Sequence, residues 1–217
     1  MKKTGVFALF LLSALHGYGQ AEEPFVRVTR QGLYERPNEK AERGGNENKP
    51  FVVFSDEVGS EVWVSPERKC VALEKVSNPV VEGTTALHVK WDKVSGGCEW
   101  IGIGFGWEDW QPKDLSADWR CLTLSMKVRA VSGSFSSFPV AFAFEDYSGV
   151  QTYCGFESKQ ASGRFNDRGW TSVQIPLTDF PFVRNDANLS KVKQLMIQLE
   201  AAGDVYLDDV RLIPSQR

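Results

Sequence analysis

Apolar and polar residues alternate in short runs along most of the chain after residue 50, and turn-forming residues separate the runs. A period of two places every second side chain on one face of a strand, so each run predicts a half-buried β-strand. The predicted strands are residues 51–54, 62–64, 85–91, 100–107, 122–128, 140–145, 150–156, 170–176, 192–199 and 205–213. So many short strands with few helical periods predict an all-β fold, an antiparallel β-sandwich.

The run 192–199 is ambiguous, because Val192, Leu195, Met196 and Leu199 also have the spacing of one face of a helix. Its position among strands favours a strand from about Gln194.

Strict alternation in the last strand, 205–212, places Asp208 on the mostly apolar face with Tyr206, Val210 and Leu212. An inward carboxylate is costly unless it is paired or bound to a metal ion. We therefore expect the Asp208 carboxylate to have a partner of its own.

The N-terminus has the three parts of a secretory signal: Lys2 and Lys3, an apolar run at 6–15, and small or polar residues up to residue 21. The alternative is a buried N-terminal helix. The run is too short to span a bilayer, which takes about 20 apolar residues, and no later run is long enough. We expect a signal peptide at 1–20, a charged linker or mobile arm at 21–50, a β-sandwich at 51–217, and a secreted, periplasmic or cell-surface location.

The net charge excludes some classes of partner, and the cysteine content bears on disulfide formation. The net charge is -3 with both signs interspersed, so neither nucleic acid nor a membrane surface is an expected partner. Four cysteines, at 70, 98, 121 and 154, allow three disulfide connectivities in an oxidising compartment. Buried free thiols are the alternative, because cysteine is also a small hydrophobic residue.

Several segments together resemble a known family. These are WIGIGFG at 100–106, DLS at 114–116, LTLSMKV at 122–128, WTSVQIPLTDF at 170–180 and VYLDDVRL at 205–212. In this order they resemble the jelly-roll carbohydrate-binding modules with the galactose-binding-domain-like fold, family 11 most closely and families 4 and 6 more loosely. The resemblance covers about residues 51–213, and it implies a poly- or oligosaccharide partner.

The resemblance also implies a structural calcium ion between the first and last strands. The matching ligands would be Asp208, Asp209 and Asp56 or Glu57. Calcium takes six to eight oxygens, many of them backbone carbonyls. The alternative is that Asp208 accepts backbone N–H bonds.

A sugar site combines exposed aromatic rings with polar side chains, because sugars have apolar C–H faces and many hydroxyls. The polar loop 106–113 offers Trp107 and Trp110 as stacking rings, beside Glu108 and Asp109. The second predicted region consists of Gln151 and Tyr153 on one strand face, with Asp146 and Tyr147 at the rim. The alternatives are that the two tryptophans pack over the end of the sandwich and that Tyr153 is a half-buried tyrosine of the sheet.

Gly102, Gly104 and Gly106 alternate on one face of the strand 100–107. Missing side chains let a ligand or another backbone approach closely, and the alternative is a bulge or a bulky neighbour that fills the gap. The pattern opens no helix, so it is not a dinucleotide motif.

Enzymatic motifs are missing from the sequence: there is no GxSxG, HExxH or P-loop, and His88 is the only histidine after the signal. No catalytic residue is therefore predicted.

Two alternatives to sugar binding stay open. A jelly-roll glycosidase or lyase needs only two carboxylates, for which Glu99, Glu108, Asp109, Glu145 and Asp146 are available. An envelope adhesion protein would bind a protein partner through residues 21–50.

Overall fold

A computed structural model describes residues 27–28, 34–35, 51–54, 62–65, 69–107 and 110–215. The chain divides into two units, residues 1–36 and 37–217. In the first unit, strands β1 (Arg27–Val28) and β2 (Tyr34–Glu35) form an antiparallel pair. The predicted signal peptide at 1–20 and most of the predicted arm at 21–50 lie outside the described residues.

The second unit consists of short antiparallel strands. They are β3 (Phe51–Phe54), β4 (Val62–Val64), β5 (Val71–Val76), β6 (Ala86–Asp92), β7 (Gly102–Gly106), β8 (Leu122–Ala130), β9 (Ser134–Phe135), β10 (Val140–Asp146), β11 (Gln151–Gly155), β12 (Phe165–Asn166), β13 (Thr171–Pro176), β14 (Val192–Leu199) and β15 (Ala202–Pro214). One sheet has the order β11-β10-β14-β7-β4, and the other has the order β13-β8-β15-β6-β5 with β3 also paired to β15. Strands β9 and β12 form a separate pair. The predicted all-β antiparallel sandwich is confirmed.

The core lies between the two sheets and is built from alternate residues of each strand. Phe105, Phe142 and Leu195 come from the five-stranded sheet, and Leu124 and Val173 come from the other sheet; all five are fully buried. Stacked sheets of this kind enclose a core about 10 Å thick. Among the described residues, no helix is long and apolar enough to cross a membrane.

The sequence pattern located ten of the strands described in the second unit and missed three, the strands β5, β9 and β12. The ambiguous run 192–199 is strand β14, preceded by a single 3-10 turn at Leu189–Lys191. Strand β5 was not predicted, because Glu74 and Lys75 interrupt its apolar alternation. Charged residues in the middle of an edge strand discourage pairing with another chain, which explains why they are tolerated there.

Strand β15 departs from strict alternation at a β-bulge. The register with β8 shifts between Asp208 and Arg211, and Asp209 has a φ of 51° in the left-handed region. Leu207 is therefore buried before the bulge and Val210 after it. The prediction that Asp208 shares the apolar face with Val210 was wrong, because the extra residue reverses the alternation.

One disulfide joins Cys70 to Cys98, while Cys121 and Cys154 are free thiols. The chain thus forms one disulfide, and its other two cysteines remain thiols. Cys121 is exposed and Cys154 is half-buried.

Candidate functional site

The outer face of the five-stranded sheet points away from the core, and the strand register determines which residues share it. Directly opposed residues of antiparallel strands point to the same side of a sheet. The central row of this face runs across all five strands through Tyr153, Ala143, Met196, Gly104 and Trp63. The rows on either side contain Gln151, Glu145, Gln194 and Gly106, and Gly155, Ala141, Gln198 and Gly102. On this face, β7 therefore presents only glycines, and β10 presents two alanines beside Glu145.

Tryptophan rings occupy the places of the missing side chains on β7. A Cβ at Gly104 would lie 2.2 Å from the Trp63 ring, one at Gly102 would lie 2.8 Å from Trp100, and one at Gly106 would lie 2.7 Å from Trp110. Such distances are shorter than real Cβ contacts. The bulky-neighbour explanation of the glycine pattern is therefore the one that the structure supports.

Four aromatic residues form the surface of this sheet, and we call them the aromatic face: Trp63, Trp100, Trp110 and Tyr153. The rings of Trp63 and Trp100 stack with centroids 6.1 Å apart and planes 25° from parallel. The three tryptophans are half-buried, and Tyr153 is 37% exposed. The rings thus rest on the sheet and remain accessible from outside.

Glutamine side chains hold the polar atoms of these rings. The indole N–H of Trp63 donates to Oε1 of Gln194 at 2.6 Å, and that of Trp100 donates to Oε1 of Gln198 at 3.2 Å. The hydroxyl of Tyr153 donates to Oε1 of Gln151 at 2.7 Å. Three of the four aromatic residues are therefore oriented by an amide on the same face.

The carboxylate of Glu145 lies in the same row as two of these glutamines, Gln151 and Gln194. Glu145 is 8% exposed; its Oε1 pairs with Nζ of Lys193 at 2.7 Å, and its Oε2 accepts from Nε2 of Gln194 at 2.8 Å. Burial raises the pKa of the Tyr153 phenol, the charge of Glu145 raises it further, and the Trp100 side chain opposes the shift by hydrogen bonding. Tyr153 consequently stays protonated and remains a hydrogen-bond donor at neutral pH.

Three predicted binding residues, Trp110, Gln151 and Tyr153, lie together on the outer face. Trp107 does not join them, because it is 1% exposed and stacks on Phe144 in the core at 6.0 Å between centroids. This corrects the prediction that the whole loop 106–113 presents its rings to a ligand.

The two residues predicted at the rim, Asp146 and Tyr147, form hydrogen bonds with backbone groups. Asp146 is 3% exposed and accepts backbone N–H bonds from Ser148, Val150 and Asn188. The hydroxyl of Tyr147 donates to the backbone carbonyl of Trp110, and burial raises the pKa of Tyr147 to about 12. Tyr147 therefore anchors the Trp110 backbone, whose φ is 65°. Glu108 and Asp109 lie outside the described residues.

Trp63, Trp100, Gln194 and Gln198 belong to the site and were not predicted as binding residues. A signal for Trp100 was present, since it stands two residues before Gly102 and so shares the face of the glycines. Gln194 and Gln198 likewise alternate with buried residues on β14. Trp63 is on a three-residue strand, too short for alternation to show its face.

A polar depression of about 810 Å³ lies beside β13 on the other sheet. Its lining includes Arg120, Lys159, Gln174 and Asp179, with no aromatic side chain among the residues that form it. It offers charges and amides but no ring for stacking. The aromatic face is therefore the better candidate for a sugar site.

The predicted calcium ligands have other partners where they are described. Oδ2 of Asp208 accepts from the backbone N–H groups of Val81 and Glu82 at 2.8 and 3.3 Å, and Oδ1 accepts from Asp209 N–H at 2.7 Å. The Asp209 carboxylate is paired with the Arg211 guanidinium. In the described part of the chain, no three His, Cys, Asp or Glu side chains are grouped to hold a metal ion.

These contacts fit the alternative that Asp208 accepts backbone N–H bonds, and they do not form a calcium site by themselves. Asp56 and Glu57 lie outside the described residues, so the calcium ion stays a prediction.

Comparisons with known proteins identify the class. The profile of carbohydrate-binding domain 30 matches residues 50–214. A crystal structure of a family 30 carbohydrate-binding module has a TM-score of 0.59 at 17% identity, over 77% of this chain and 99% of that one. The family 11 module from Clostridium thermocellum, in complex with a beta-1,3-1,4-mixed-linked tetrasaccharide, has a TM-score of 0.54 at 12% identity, over 78% and 98%. No curated protein matches the chain.

An enzyme also contains this fold. The beta-1,2-glucanase from Parabacteroides distasonis has a TM-score of 0.53 at 16% identity, over 78% of this chain but 26% of the enzyme.

Fold and profile together define a β-sandwich carbohydrate-binding module. The chain belongs to carbohydrate-binding domain family 30. The predicted resemblance to jelly-roll carbohydrate-binding modules is confirmed; the matching profile is that of family 30, and family 11 is among the similar structures.

We predict that Gly104→Ala displaces the Trp63 ring, because the new Cβ would lie 2.2 Å from it. Overpacking of this kind costs about 1–3 kcal/mol. The midpoint of thermal unfolding should fall, and near-ultraviolet circular dichroism should change. Gly155→Ala is the matched control on the same face, since nothing lies within 4 Å of its Cβ position. Equal, small effects of the two substitutions would contradict this packing.

We predict that Asp208→Asn destabilises the protein by about 1.5–3 kcal/mol, because the amide nitrogen cannot accept a backbone N–H bond. Chemical unfolding in EDTA and again in calcium measures the loss, with Asp118→Asn as an exposed control. A loss in both media supports the hydrogen-bonding role, whereas a loss only in calcium would identify Asp208 as a metal ligand instead.

Proposed function

We propose that this protein is a secreted, non-catalytic carbohydrate-binding protein that stacks the sugar rings of a glycan on the aromatic face. The observation that carries the proposal is the row of tryptophans seated on the glycines of β7. Aromatic rings provide large apolar contact areas with little loss of side-chain freedom, and a polar edge for orientation.

The shape of the face favours a chain of sugars over a single one. Gly102 and Gly106 are four residues apart on β7, so the ring row extends over about 13 Å at about 3.3 Å per residue. Several pyranose rings can lie along such a row. A glucan is the first ligand to test, because the similar family 11 module was crystallised with a mixed-linked tetrasaccharide.

The carboxylates at the face favour binding over hydrolysis. Glycosidases place two free carboxyl groups on either side of the scissile bond. Glu145 is instead engaged by Lys193 and Gln194, and Asp146 is engaged by three backbone N–H groups. These contacts support a binding role for this adjacent pair.

The secreted location is supported by the signal pattern at 1–20 and by the Cys70–Cys98 disulfide, since disulfides persist in oxidising compartments. We expect the exported protein to begin near residue 21. Intact-mass measurement of the protein recovered outside the cytoplasm tests this, and a retained N-terminal segment would contradict it. The predicted envelope partner of residues 21–50 stays a prediction.

We predict that Trp63→Ala and Trp100→Ala each weaken glycan binding about 10- to 100-fold, as expected for truncation of an aromatic hot spot. Affinity electrophoresis in gels containing soluble glucans, followed by calorimetric titration of the glucan that retards the protein, measures the effect.

Tyr206→Ala is the matched control for this prediction. Tyr206 lies on the other sheet, where its ring contacts His88 at 5.1 Å between centroids. Its removal should leave binding unchanged. No retardation of the wild type by any glycan, or equal binding by all variants, would refute the proposal.

A further inference from the structure

We infer that two hydrogen-bonded relays, each with the order Lys–Glu–Gln–Trp, set the positions of the stacked tryptophans Trp63 and Trp100. The inference rests on the proposed function, because it assigns positioning residues to the same face. Relay 1 consists of Lys193, Glu145, Gln194 and Trp63. Relay 2 consists of Lys93, Glu200, Gln198 and Trp100.

Relay 1 is continuous from the lysine to the indole. Lys193 Nζ lies 2.7 Å from Oε1 of Glu145, Gln194 Nε2 lies 2.8 Å from its Oε2, and Trp63 Nε1 lies 2.6 Å from Oε1 of Gln194. Relay 2 repeats the order on another part of the same face. Lys93 Nζ lies 2.6 Å from Oε2 of Glu200, Gln198 Nε2 donates to Oε1 of Glu200, and Trp100 Nε1 lies 3.2 Å from Oε1 of Gln198.

The chemistry of the groups fixes the direction of each relay. An ionised carboxylate only accepts hydrogen bonds, and an indole N–H only donates them. The glutamine between them must therefore turn its NH2 group to the carboxylate and its carbonyl oxygen to the indole. In relay 2, the hydrogen bonds from Lys93 and Gln198 lower the pKa of Glu200. Each ring is thus held in one orientation by the polarity of its relay.

Relay 1 also reaches the opposite edge of the sheet. Nε2 of Gln151 donates to Oε2 of Glu145 at 3.3 Å, and Oε1 of Gln151 accepts from the Tyr153 hydroxyl at 2.7 Å. Trp63 is on β4 and Tyr153 is on β11, the two edges of five strands spaced about 4.8 Å apart. A single carboxylate, Glu145, therefore positions aromatic residues on both sides of the face.

A replacement of equal size tests the role of polarity. In Glu145→Gln, one acceptor oxygen must serve Lys193 and two amide groups, so one amide turns over and presents NH2 to an indole or phenol donor. We expect glucan affinity to fall about tenfold, the loss of one hydrogen bond to a charged group. The near-ultraviolet circular dichroism of the Trp63–Trp100 pair should change. Affinity is measured well below the unfolding midpoint of each variant, because loss of a hydrogen bond to a charged group also costs stability.

Glu200→Gln tests relay 2 at a side chain that is 39% exposed, so it also serves if Glu145→Gln fails to fold. Glu74→Gln, on exposed strand β5 of the other sheet, is the control and should change neither signal. Unchanged dichroism in both relay variants overturns the inference. Changed dichroism with unchanged affinity overturns the link between the relays and binding. If the wild type binds no glycan, the proposed function fails, and the dichroism still decides whether the relays set the rings.

Discussion

The packing of tryptophan rings onto glycine is the interaction on which the rest of the site depends. Strand β7 is covered on both sides, by the core under Ile103 and Phe105 and by tryptophans over the alternating glycines. A side chain at Gly104 would meet the Trp63 ring at 2.2 Å, so the rings lie low on the sheet only because those side chains are missing. An accessible aromatic surface close to the sheet is the result.

Close packing on the glycines sets the distance of the rings from the sheet, and the relays set their orientation. A buried ion pair is weak evidence for stability, because desolvation offsets much of its attraction. The pairs Lys193–Glu145 and Lys93–Glu200 are better explained by specificity: each defines the direction of a glutamine that holds an indole N–H. The ion pairs thus orient the rings of the aromatic face, and the rings contact the ligand.

Alternation in the sequence was sufficient to predict the sandwich, the closing strand and the special face of β7, because the period of two is a local property. It was insufficient for Trp107, which follows the same strand and turns into the core beside Phe144. The alternation also did not show the bulge at Asp209 or the backbone N–H bonds to Asp208, because the donors at 81–82 are distant from residue 208 in the sequence. Relay 1 joins residues 63, 145 and 194, so no spacing along the chain could have shown it.

In the proposed mode of binding, Trp63 and Trp100 contact the glycan directly. Nitrogen-15 correlation spectra of the indole N–H groups, recorded while a soluble glucan is added, measure this for each tryptophan separately. If both rings contact the glycan, the signals of Trp63 and Trp100 shift progressively, whereas those of the core residues Trp107 and Trp119 remain in place. Binding that leaves the Trp63 and Trp100 signals unmoved, or moves only those of the core, would contradict it.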